Sequence, residues 1–425
     1  MDYSDALKII AQPILASDLP HTLDHMARLL DALDNPERAY PCVVVTGSVG
    51  KGTTCHQIAA LMDEHLKVGL YTSPHLHIFR ERFAINGRLM SQADFIANVE
   101  LVKQAADHLD TRYSTFELAT AVSLCWFRQQ AVDIAVLEIG IGGRYDAVNI
   151  VSNRLAVITP IEREHAAMLG GTLISIAQHK AGIIKPQGEV IAAPQVPEVE
   201  TVLRDEAKSQ HAHIIFEPVD TLAVAVCTHL MQRSVIPTFP LPSSPPMVHL
   251  VGRMEQIKRG GKTLLIDGAH TPGSARRLRA AIEQIAPTSH VSLIIGMLRD
   301  KSVQAFLATF DSPQFHITLT QSSSHRALSA DEIQHTADLQ HATITIQPNL
   351  QSAIDQALEN ADSLIVITGS LRIAAIAREM LSLLDEKELE EARLTRAIFE
   401  GNDYLTKLRG TDNSSSSNIN LAWDS

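Results

Sequence analysis

Two side chains that follow an apolar run, Lys51 and Thr53, have the types and spacing of a nucleotide site. They lie in VVVTGSVGKGTTCHQIAALM, residues 43–62, where the apolar run turns through glycines into a helix-like pattern. Glycines let the backbone approach a polyphosphate, and the first N–H groups of a helix point at a bound anion. The stretch predicts a phosphate-binding loop, and a glycine-rich turn without a ligand is the alternative.

The glycine spacing differs from the common G-x-x-x-x-G-K-[ST] loop. Fewer residues separate the first two glycines, and an additional glycine precedes the hydroxyl residue, in the register Gly47-Ser48-Val49-Gly50-Lys51-Gly52-Thr53. The sequence has no Asn-Lys-x-Asp motif for reading guanine and no clear lid of a nucleoside-monophosphate kinase. The loop alone therefore indicates a phosphate-binding site but does not identify the reaction.

A carboxylate within an apolar run marks a second candidate position. Glu138 closes the run DIAVLE, and a buried carboxylate needs a partner, commonly a cation or a metal ion. Arg144 and Asp146 follow where the chain leaves this predicted strand, and ligands of α/β sheets bind at the carboxyl ends of strands. A structural Arg–Asp pair that caps the turn is the alternative.

Three further stretches carry candidate side chains. His165 follows the strand pattern RLAVITPI as a candidate metal ligand, although a single histidine is more often structural. Lys180 lies beside the apolar AGII, so it requires an anion partner, a lowered pKa or a covalent modification. The stretch YTSPHLHIFRERFAING, residues 71–87, opens with a small polar turn, and an exposed loop with charge pairs is its alternative.

The elements that must position these residues are strands alternating with helices. Short apolar runs separated by segments of helical spacing predict a parallel sheet covered on both faces. After the proline-rich residues 236–247 the alternation resumes, and in LIDGAHTPGSARRL it places Asp267 and His270 at the end of a strand. We predict an α/β fold of three parts. A P-loop-containing, parallel-sheet nucleotide-binding domain covers 1–252, a smaller doubly wound Rossmann-like domain covers 253–388, and a polar, disordered tail covers 389–425.

Composition limits the classes of partner. With a net charge of −12, the chain is poorly suited to a nucleic-acid backbone. The four cysteines have no paired spacing, which argues against disulfides and a zinc site. No apolar segment approaches the ~18–20 residues of a membrane span. We expect a cytoplasmic monomer that binds small molecules and neither nucleic acid nor membrane.

Taken in order, the stretches resemble the folylpolyglutamate synthase/dihydrofolate synthase family of Mur-type ligases. The family's motifs T-G-T-N-G-K-G-S, T-S-P-H-L and E-x-G-x-G-G-R-x-D-A-T-N stand here as TGSVGKGT, TSPHL and EIGIGGRYDAVN. The motifs D-H-x-x-x-L-G, E-K-A-G-I-I-K-P, P-G-R, D-G-A-H-N-P and G-S-L follow as EHAAMLG, HKAGIIKP, VGR, DGAHTP and GSL. The resemblance implies that ATP phosphorylates a pterin-linked carboxylate, of dihydropteroate or a tetrahydrofolate, and that the amine of L-glutamate then attacks the acyl phosphate. It also implies that the domain at 1–252 binds ATP and the pterin substrate and that the domain at 253–388 is the glutamate-ligase domain.

Carried over by position, the resemblance implies a role for each candidate. The ATP-binding positions are Gly47, Ser48, Gly50, Lys51, Gly52, Thr53, Arg253 and Asp267. The Mg²⁺ ligands are Thr53, Glu138 and His165, joined by Lys180, which matches the lysine that is carbamylated in the family. The pterin-substrate region comprises Thr72, Ser73, Pro74, Arg144 and Asp146. His270 and Ser370 match positions near the incoming glutamate, and the catalytic set is Lys51, Lys180 and His270.

The sequence departs from the family pattern at several positions. The pattern's Asn, Asp, Asn, Pro and Glu are replaced, in order, by Val49, Glu164, Thr271, Val251 and His179. The G-x-H-Q-x-x-N-A stretch is not recognisable, and residues 187–250 are abbreviated. Two alternatives therefore stay open: a ligase for another acid and amine, and a nucleotide-binding protein that has lost ligation.

Overall fold

The computed structural model describes residues 1–11, 22–109, 111–152, 155–166, 168–299, 301–322, 324 and 326–400. The chain forms two compact units, one of Met1–Val248 together with the residues from Leu394 on, and one of His249–Arg393. Within the described ranges, no helix is long and apolar enough to cross a membrane.

The first unit is built on a largely parallel sheet in the order β4-β3-β2-β5-β1-β6-β7-β8. Its strands are β1 Cys42–Thr46, β2 Val68–Tyr71, β3 Phe83–Ile85, β4 Arg88–Leu89, β5 Ile134–Glu138, β6 Leu155–Ile158, β7 Glu189–Ala192 and β8 His213–Phe216. Among the described strands of this sheet, only the pairings of β3, with β2 and with β4, are antiparallel. The carboxyl ends of β1, β5 and β6 therefore meet at one edge of the sheet.

Helices cover both faces of this sheet, as the sequence predicts. They are α1 Tyr3–Ile10, α2 Asp24–Ala32, α3 Lys51–Met62, α4 Gln92–His108, α5 Thr115–Gln129, α6 Leu173–Ala181, α7 Pro197–Ser209 and α8 Leu222–Gln232. Successive side chains of a strand point to opposite faces, so Val44 joins one hydrophobic core whereas Val43 and Val45 join another. This explains why β1 is apolar at consecutive positions.

The second unit has a smaller sheet in the order β13-β12-β11-β14-β10-β9. The strands are β9 Glu255–Arg259, β10 Lys262–Ile266, β11 Val291–Ile295, β12 Phe315–Leu319, β13 Thr343–Ile346 and β14 Leu364–Thr368. The helices are α9 Pro272–Ile285, α10 Val303–Leu307, α11 Ala330–Thr336, α12 Leu350–Glu359 and α13 Leu371–Met380. The predicted α/β architecture of two mostly parallel sheets is confirmed. The antiparallel edge strand β9 is an addition that the sequence analysis did not predict.

A last helix, α14 Glu386–Glu400, corrects the tail that the sequence predicted from residue 389 on. Leu394, Ile398 and Phe399 pack against the core that contains Val44, which we call the first core. Burial of these apolar side chains on one side of the segment stabilises the helix. The rest of the predicted tail, 401–425, lies outside the described residues.

Candidate active site

The predicted phosphate loop joins β1 to α3. Gly47 has a φ of +145°, and a Cβ atom at this position would lie 1.9 Å from Thr159 Oγ1, so only glycine fits. Gly50 also has a positive φ, +81°, immediately before the helix. No described side chain caps α3, so the N–H groups of its first turn are directed at the position an anion would take.

The first half of the loop is tied to the segment after β6. The backbone N–H groups of Ser48 and Val49 both donate to the carbonyl oxygen of Pro160, at 2.9 and 3.2 Å. The Ser48 hydroxyl donates to the carbonyl oxygen of Glu162 at 2.9 Å. These N–H groups have protein partners, which leaves the first turn of α3, with Lys51, Gly52 and Thr53, as the donor surface.

The side chain of Lys180, on α6, contacts the same loop. Its side chain is 2% exposed, and its Nζ donates to the carbonyl oxygen of Gly47 at 2.6 Å. Burial, followed by the nearby charge of Lys51, lowers the pKa of Lys180 to about 7, although Glu164 and Asp146 act in the opposite direction. The buried lysine that the sequence predicts is therefore present, and its amine is readily deprotonated.

Glu138, at the end of β5, places a buried carboxylate beside the loop. Its Oε2 accepts a hydrogen bond from the backbone N–H of Ser73 at 3.1 Å. The same oxygen would lie 3.6 Å from a Cβ on Gly52, so the carboxylate borders the first turn of α3. The Ser73 hydroxyl oxygen is buried and has no hydrogen-bond partner among the described residues. An unsatisfied oxygen next to a carboxylate is the environment expected of a cation ligand.

His165 lies in the turn that follows β6. Its Nε2 is 3.7 Å from Glu164 Oε1, and its side chain is 16% exposed. In the described ranges, no group of three or more His, Cys, Asp and Glu side chains is arranged to hold a metal ion. The predicted ligand set has only two members of those types, Glu138 and His165, so the role of His165 stays a prediction.

Arg144 and Asp146 do not pair with each other. The Asp146 carboxylate accepts backbone N–H groups of Gly140, Ile141 and Val148, at 3.0, 3.2 and 2.9 Å, and so organises the glycine turn. Burial raises the pKa of Asp146 to about 7 against the effect of these hydrogen bonds and of Lys51. Arg144 instead pairs with Glu206 on α7 at 3.0 Å. Their predicted contact with a pterin substrate stays a prediction.

An aromatic side chain that the sequence analysis did not single out lies beside this turn. A Cβ on Gly140 would be 2.8 Å from Phe116 Cζ and 3.3 Å from Asp146 Oδ2, so the ring and the carboxylate flank the same glycine. The Phe116 ring also lies 5.9 Å from that of Tyr71. Because Phe116 is at the start of an apolar helix, its pattern indicated only a core residue.

The segment after β2, which carries Thr72, Ser73 and Pro74, is well ordered by its own side chains. Both oxygens of the Glu81 carboxylate accept backbone N–H groups, those of Leu76, His77 and Ile78. The Thr72 N–H donates to the carbonyl oxygen of Arg82 at 3.1 Å. The segment is therefore more than an exposed loop with charge pairs.

In the second unit, Asp267 follows β10 and holds the backbone around it. Its carboxylate accepts N–H groups of Met254 and Ala269, both at 2.8 Å, and burial raises its pKa while the Arg253 charge opposes the shift. His270 Nδ1 lies 2.8 Å from the Gly268 carbonyl oxygen. Ser370 is buried and caps α13 by accepting the Ile373 N–H at 3.1 Å. The predicted residues thus fall into two groups, one in each unit.

Two family models match the chain. The Mur ligase middle domain matches residues 45–223, and the glutamate ligase domain of the Mur ligases matches residues 252–371. The folylpolyglutamate synthase of Lacticaseibacillus casei is 29% identical over 90% of this chain and 99% of its own length. The dihydrofolate synthase/folylpolyglutamate synthase of Mycobacterium tuberculosis is 27% identical over 84% of this chain and 90% of its own length.

Solved structures agree with this pattern. Folylpolyglutamate synthase of Mycobacterium tuberculosis complexed with ADP and AMPPCP superposes with a TM-score of 0.75 at 27% identity, covering 84% of this chain and 95% of that one. The apo form of the L. casei enzyme gives 0.76 at 26% identity, covering 90% and 100%. The chain belongs to the folylpolyglutamate synthase family. It is an ATP-dependent ligase of the Mur ligase type.

One departure from the family pattern has a structural explanation. Thr271, where the pattern has Asn, caps α9: its hydroxyl accepts the Ser274 N–H at 3.2 Å in a reciprocal capping arrangement. A threonine therefore preserves the turn that carries His270. The replacement of Asn by Val49 has no such account, because the described contacts of Val49 involve its backbone.

Proposed function

We propose that the chain joins L-glutamate to a folate-type carboxylate, that of dihydropteroate or of a tetrahydrofolate, with conversion of ATP to ADP and inorganic phosphate. The observation that carries the proposal is the convergence of Lys51, Lys180 and Glu138 on the loop before the uncapped α3. This is the equipment for transferring a phosphoryl group, in a chain of the folylpolyglutamate synthase family.

The reaction takes place in two steps. An oxygen of the substrate carboxylate attacks the γ-phosphorus of ATP, and the bond between this phosphorus and the oxygen that bridges to the β-phosphate breaks. ADP departs, and the substrate is now an acyl phosphate. The glutamate nitrogen then attacks the acyl carbon, loses a proton, and expels inorganic phosphate to leave an amide. Both steps gather negative charge at the phosphates, which the Lys51 ammonium and the N–H groups of the first turn of α3 would stabilise.

The residues present fit a magnesium ion. Mg²⁺ prefers oxygen ligands, and Thr53, Ser73 and Glu138 would supply two hydroxyls and a carboxylate next to the phosphate position. The unsatisfied buried hydroxyl of Ser73 beside the Glu138 carboxylate supports this set. We infer that Ser73 holds the metal rather than the pterin substrate alone. When bound, the ion would neutralise the phosphate oxygens; His165 remains a further candidate ligand.

Carbamylation of Lys180 is consistent with its surroundings. A lysine of lowered pKa presents a neutral amine, which can attack carbon dioxide, release a proton and become a carbamate anion. The anion would remove the repulsion with the Lys51 charge and could serve a second Mg²⁺. Isotope-labelled carbon dioxide should give a carbamate signal in the native chain, and Lys180→Met should remove it.

The remaining candidates would bind the other substrates. Phe116 and Asp146 flank Gly140 and would form the pterin end, together with the segment of Thr72 and Pro74. In the second unit Arg253 and Asp267 are assigned to the nucleotide, and His270 and Ser370 to glutamate.

The test is formation of ADP with Mg²⁺ and pairs of substrates, using dihydropteroate and a tetrahydrofolate side by side. Release should require one of these acids and L-glutamate together, and Lys51→Ala should abolish it. Release that is equal when either substrate is omitted would contradict the proposal. A requirement for a different acid and amine would place the chain among Mur-type ligases of another specificity.

A further inference from the structure

The end of α14 packs onto the segment that carries Ser73. The Phe399 ring stacks on that of Phe79, with centroids 5.0 Å apart and an interplanar angle of 5°. It also lies 5.9 Å from the imidazole of His75, which contacts Phe79 edge-on at 5.3 Å. These three rings form one cluster, which we call the α14 ring cluster. His75 follows Ser73 and Pro74 directly in the chain, and Phe79 lies four residues after His75.

The α14 ring cluster is joined to the backbone beside Ser73 through one cation. Arg82 is buried, its Nε donates to His75 Nδ1 at 3.1 Å, and its guanidinium lies 5.1 Å from the Phe79 ring centre. Its carbonyl oxygen accepts the N–H of Thr72, the residue before Ser73. Two hydrogen bonds through Arg82 therefore connect the rings to the backbone of the residue before Ser73.

Phe399 lies outside the segments that the family models match, whereas His75 and Phe79 lie within the first of them. The glutamate ligase domain ends at residue 371, whereas Phe399 is in a helix that starts at Glu386. Leu394, Ile398 and Phe399 group with the first unit, so their packing on its core is a feature of that unit. The contact therefore joins a residue beyond the matched segments to two residues within the first of them.

We propose that Phe399 is a positioning residue, which holds residues 72–82 so that Ser73 stays beside Glu138. The inference rests on the proposed function, since it assigns Ser73 to the ligation site. Stacked aromatic rings favour one arrangement of the segment, and the apparent Kd rises as the inverse of the fraction of molecules that keep this arrangement. Loss of the ring should then weaken substrate and metal binding without removing any group that touches them.

The experiment compares Phe399→Ala, Phe399→Tyr and the matched control Ile398→Ala in the full chain. Ile398 packs on the same core but makes no ring contact with His75 or Phe79. We expect Phe399→Ala to raise the KM for the folate substrate and the Mg²⁺ concentration for half-maximal activity about three- to tenfold, the range of aromatic-pair energies. Phe399→Tyr keeps the stacked ring and should retain the native KM and Mg²⁺ dependence. Ile398→Ala should lower only the Tm.

Amide hydrogen exchange at residues 75–83 provides a second measurement that needs no activity. It should accelerate in Phe399→Ala and stay native in Ile398→Ala. Native KM and native exchange in a folded Phe399→Ala, or equal effects of both alanine variants, would overturn the inference. If the parent chain fails to ligate glutamate to a folate, the proposed function fails, and exchange alone decides whether Phe399 positions the segment.

Discussion

At the scale of single residues, burial determines what the site can do. Lys180 would repel Lys51 if both were charged, and its lowered pKa removes much of that cost near neutral pH. Asp146 is the converse, a carboxyl whose pKa is raised while three backbone N–H groups stabilise its anion. Both groups change protonation close to pH 7, where small changes in nearby charge decide their state.

The Ser73 hydroxyl gives a direct test of the metal assignment. Ser73→Ala removes an oxygen without a partner, so it should cost little stability but raise the Mg²⁺ concentration for half-maximal ADP formation about tenfold or more. The control is Ser91→Ala, which removes the cap of α4 and should cost about 1 kcal/mol of stability while leaving the Mg²⁺ dependence unchanged. An unchanged Mg²⁺ dependence in Ser73→Ala would contradict the assignment.

Lys185 predicts a pH dependence of stability that is separate from the site. Its Nζ donates to the Asn149 carbonyl oxygen at 2.6 Å, and burial lowers its pKa to about 8. Between pH 8 and the ordinary pKa of lysine the unfolded chain binds more protons, so stability should rise with pH through this window. Denaturant unfolding of the native chain and of Lys185→Met from pH 7 to 10 should show a steeper rise in the native chain. Parallel curves would contradict the lowered pKa.

At the scale of elements, the sequence predicts those strands and turns that are determined by a local pattern of residues. The consecutive apolar residues of β1 and β5 indicate strands buried on both faces. The glycines between Gly47 and Lys51 indicate the turn that joins β1 to α3. The strand β9 was not predicted because EQIKR is mostly polar and lies at the edge of its sheet.

Contacts between distant parts of the chain could not be predicted. The pair of Arg144 and Glu206 and the bond from Ser73 to Glu138 join residues that are far apart in sequence. Nothing in the local pattern of Arg144 distinguishes a structural ion pair from a substrate contact. Phe116 was missed for a related reason, because one ring at the start of an apolar helix resembles its buried neighbours.

The phosphate loop predicts an intolerance of side chains at Gly47. Gly47→Ala combines a positive φ with a Cβ 1.9 Å from Thr159 Oγ1, so it should lower stability by more than the roughly 1–3 kcal/mol of backbone strain alone and weaken nucleotide binding. Gly87→Ala is the matched control, because Gly87 has a φ of +71° with nothing within 4 Å of the added atom. Thermal unfolding and ADP titration of both variants test this. Equal losses would show that the close approach to Thr159 is unimportant.

At the scale of the whole molecule, the net charge of −12 opposes the binding of anionic substrates. Local cations and the amino-terminal end of α3 must therefore outweigh a repulsive background. The candidate cations are divided between the units, with Lys51 in the first and the exposed Arg253 in the second. A substitution in each unit therefore tests separately whether its cation contributes to nucleotide binding.

Thermal unfolding in the presence of Mg²⁺ and ADP should report both contributions. A ligand at one hundred times its Kd adds about 2.7 kcal/mol to the stability of the part that binds it, so the Tm should rise with ADP concentration. Lys51→Ala should lose most of this rise, and Arg253→Ala part of it, if the second unit contacts the nucleotide. Arg88→Ala, which removes an exposed cation on β4, controls for the change in net charge. A full rise in Arg253→Ala would remove this residue from the nucleotide site. An equally reduced rise in Arg253→Ala and Arg88→Ala would show an effect of net charge alone.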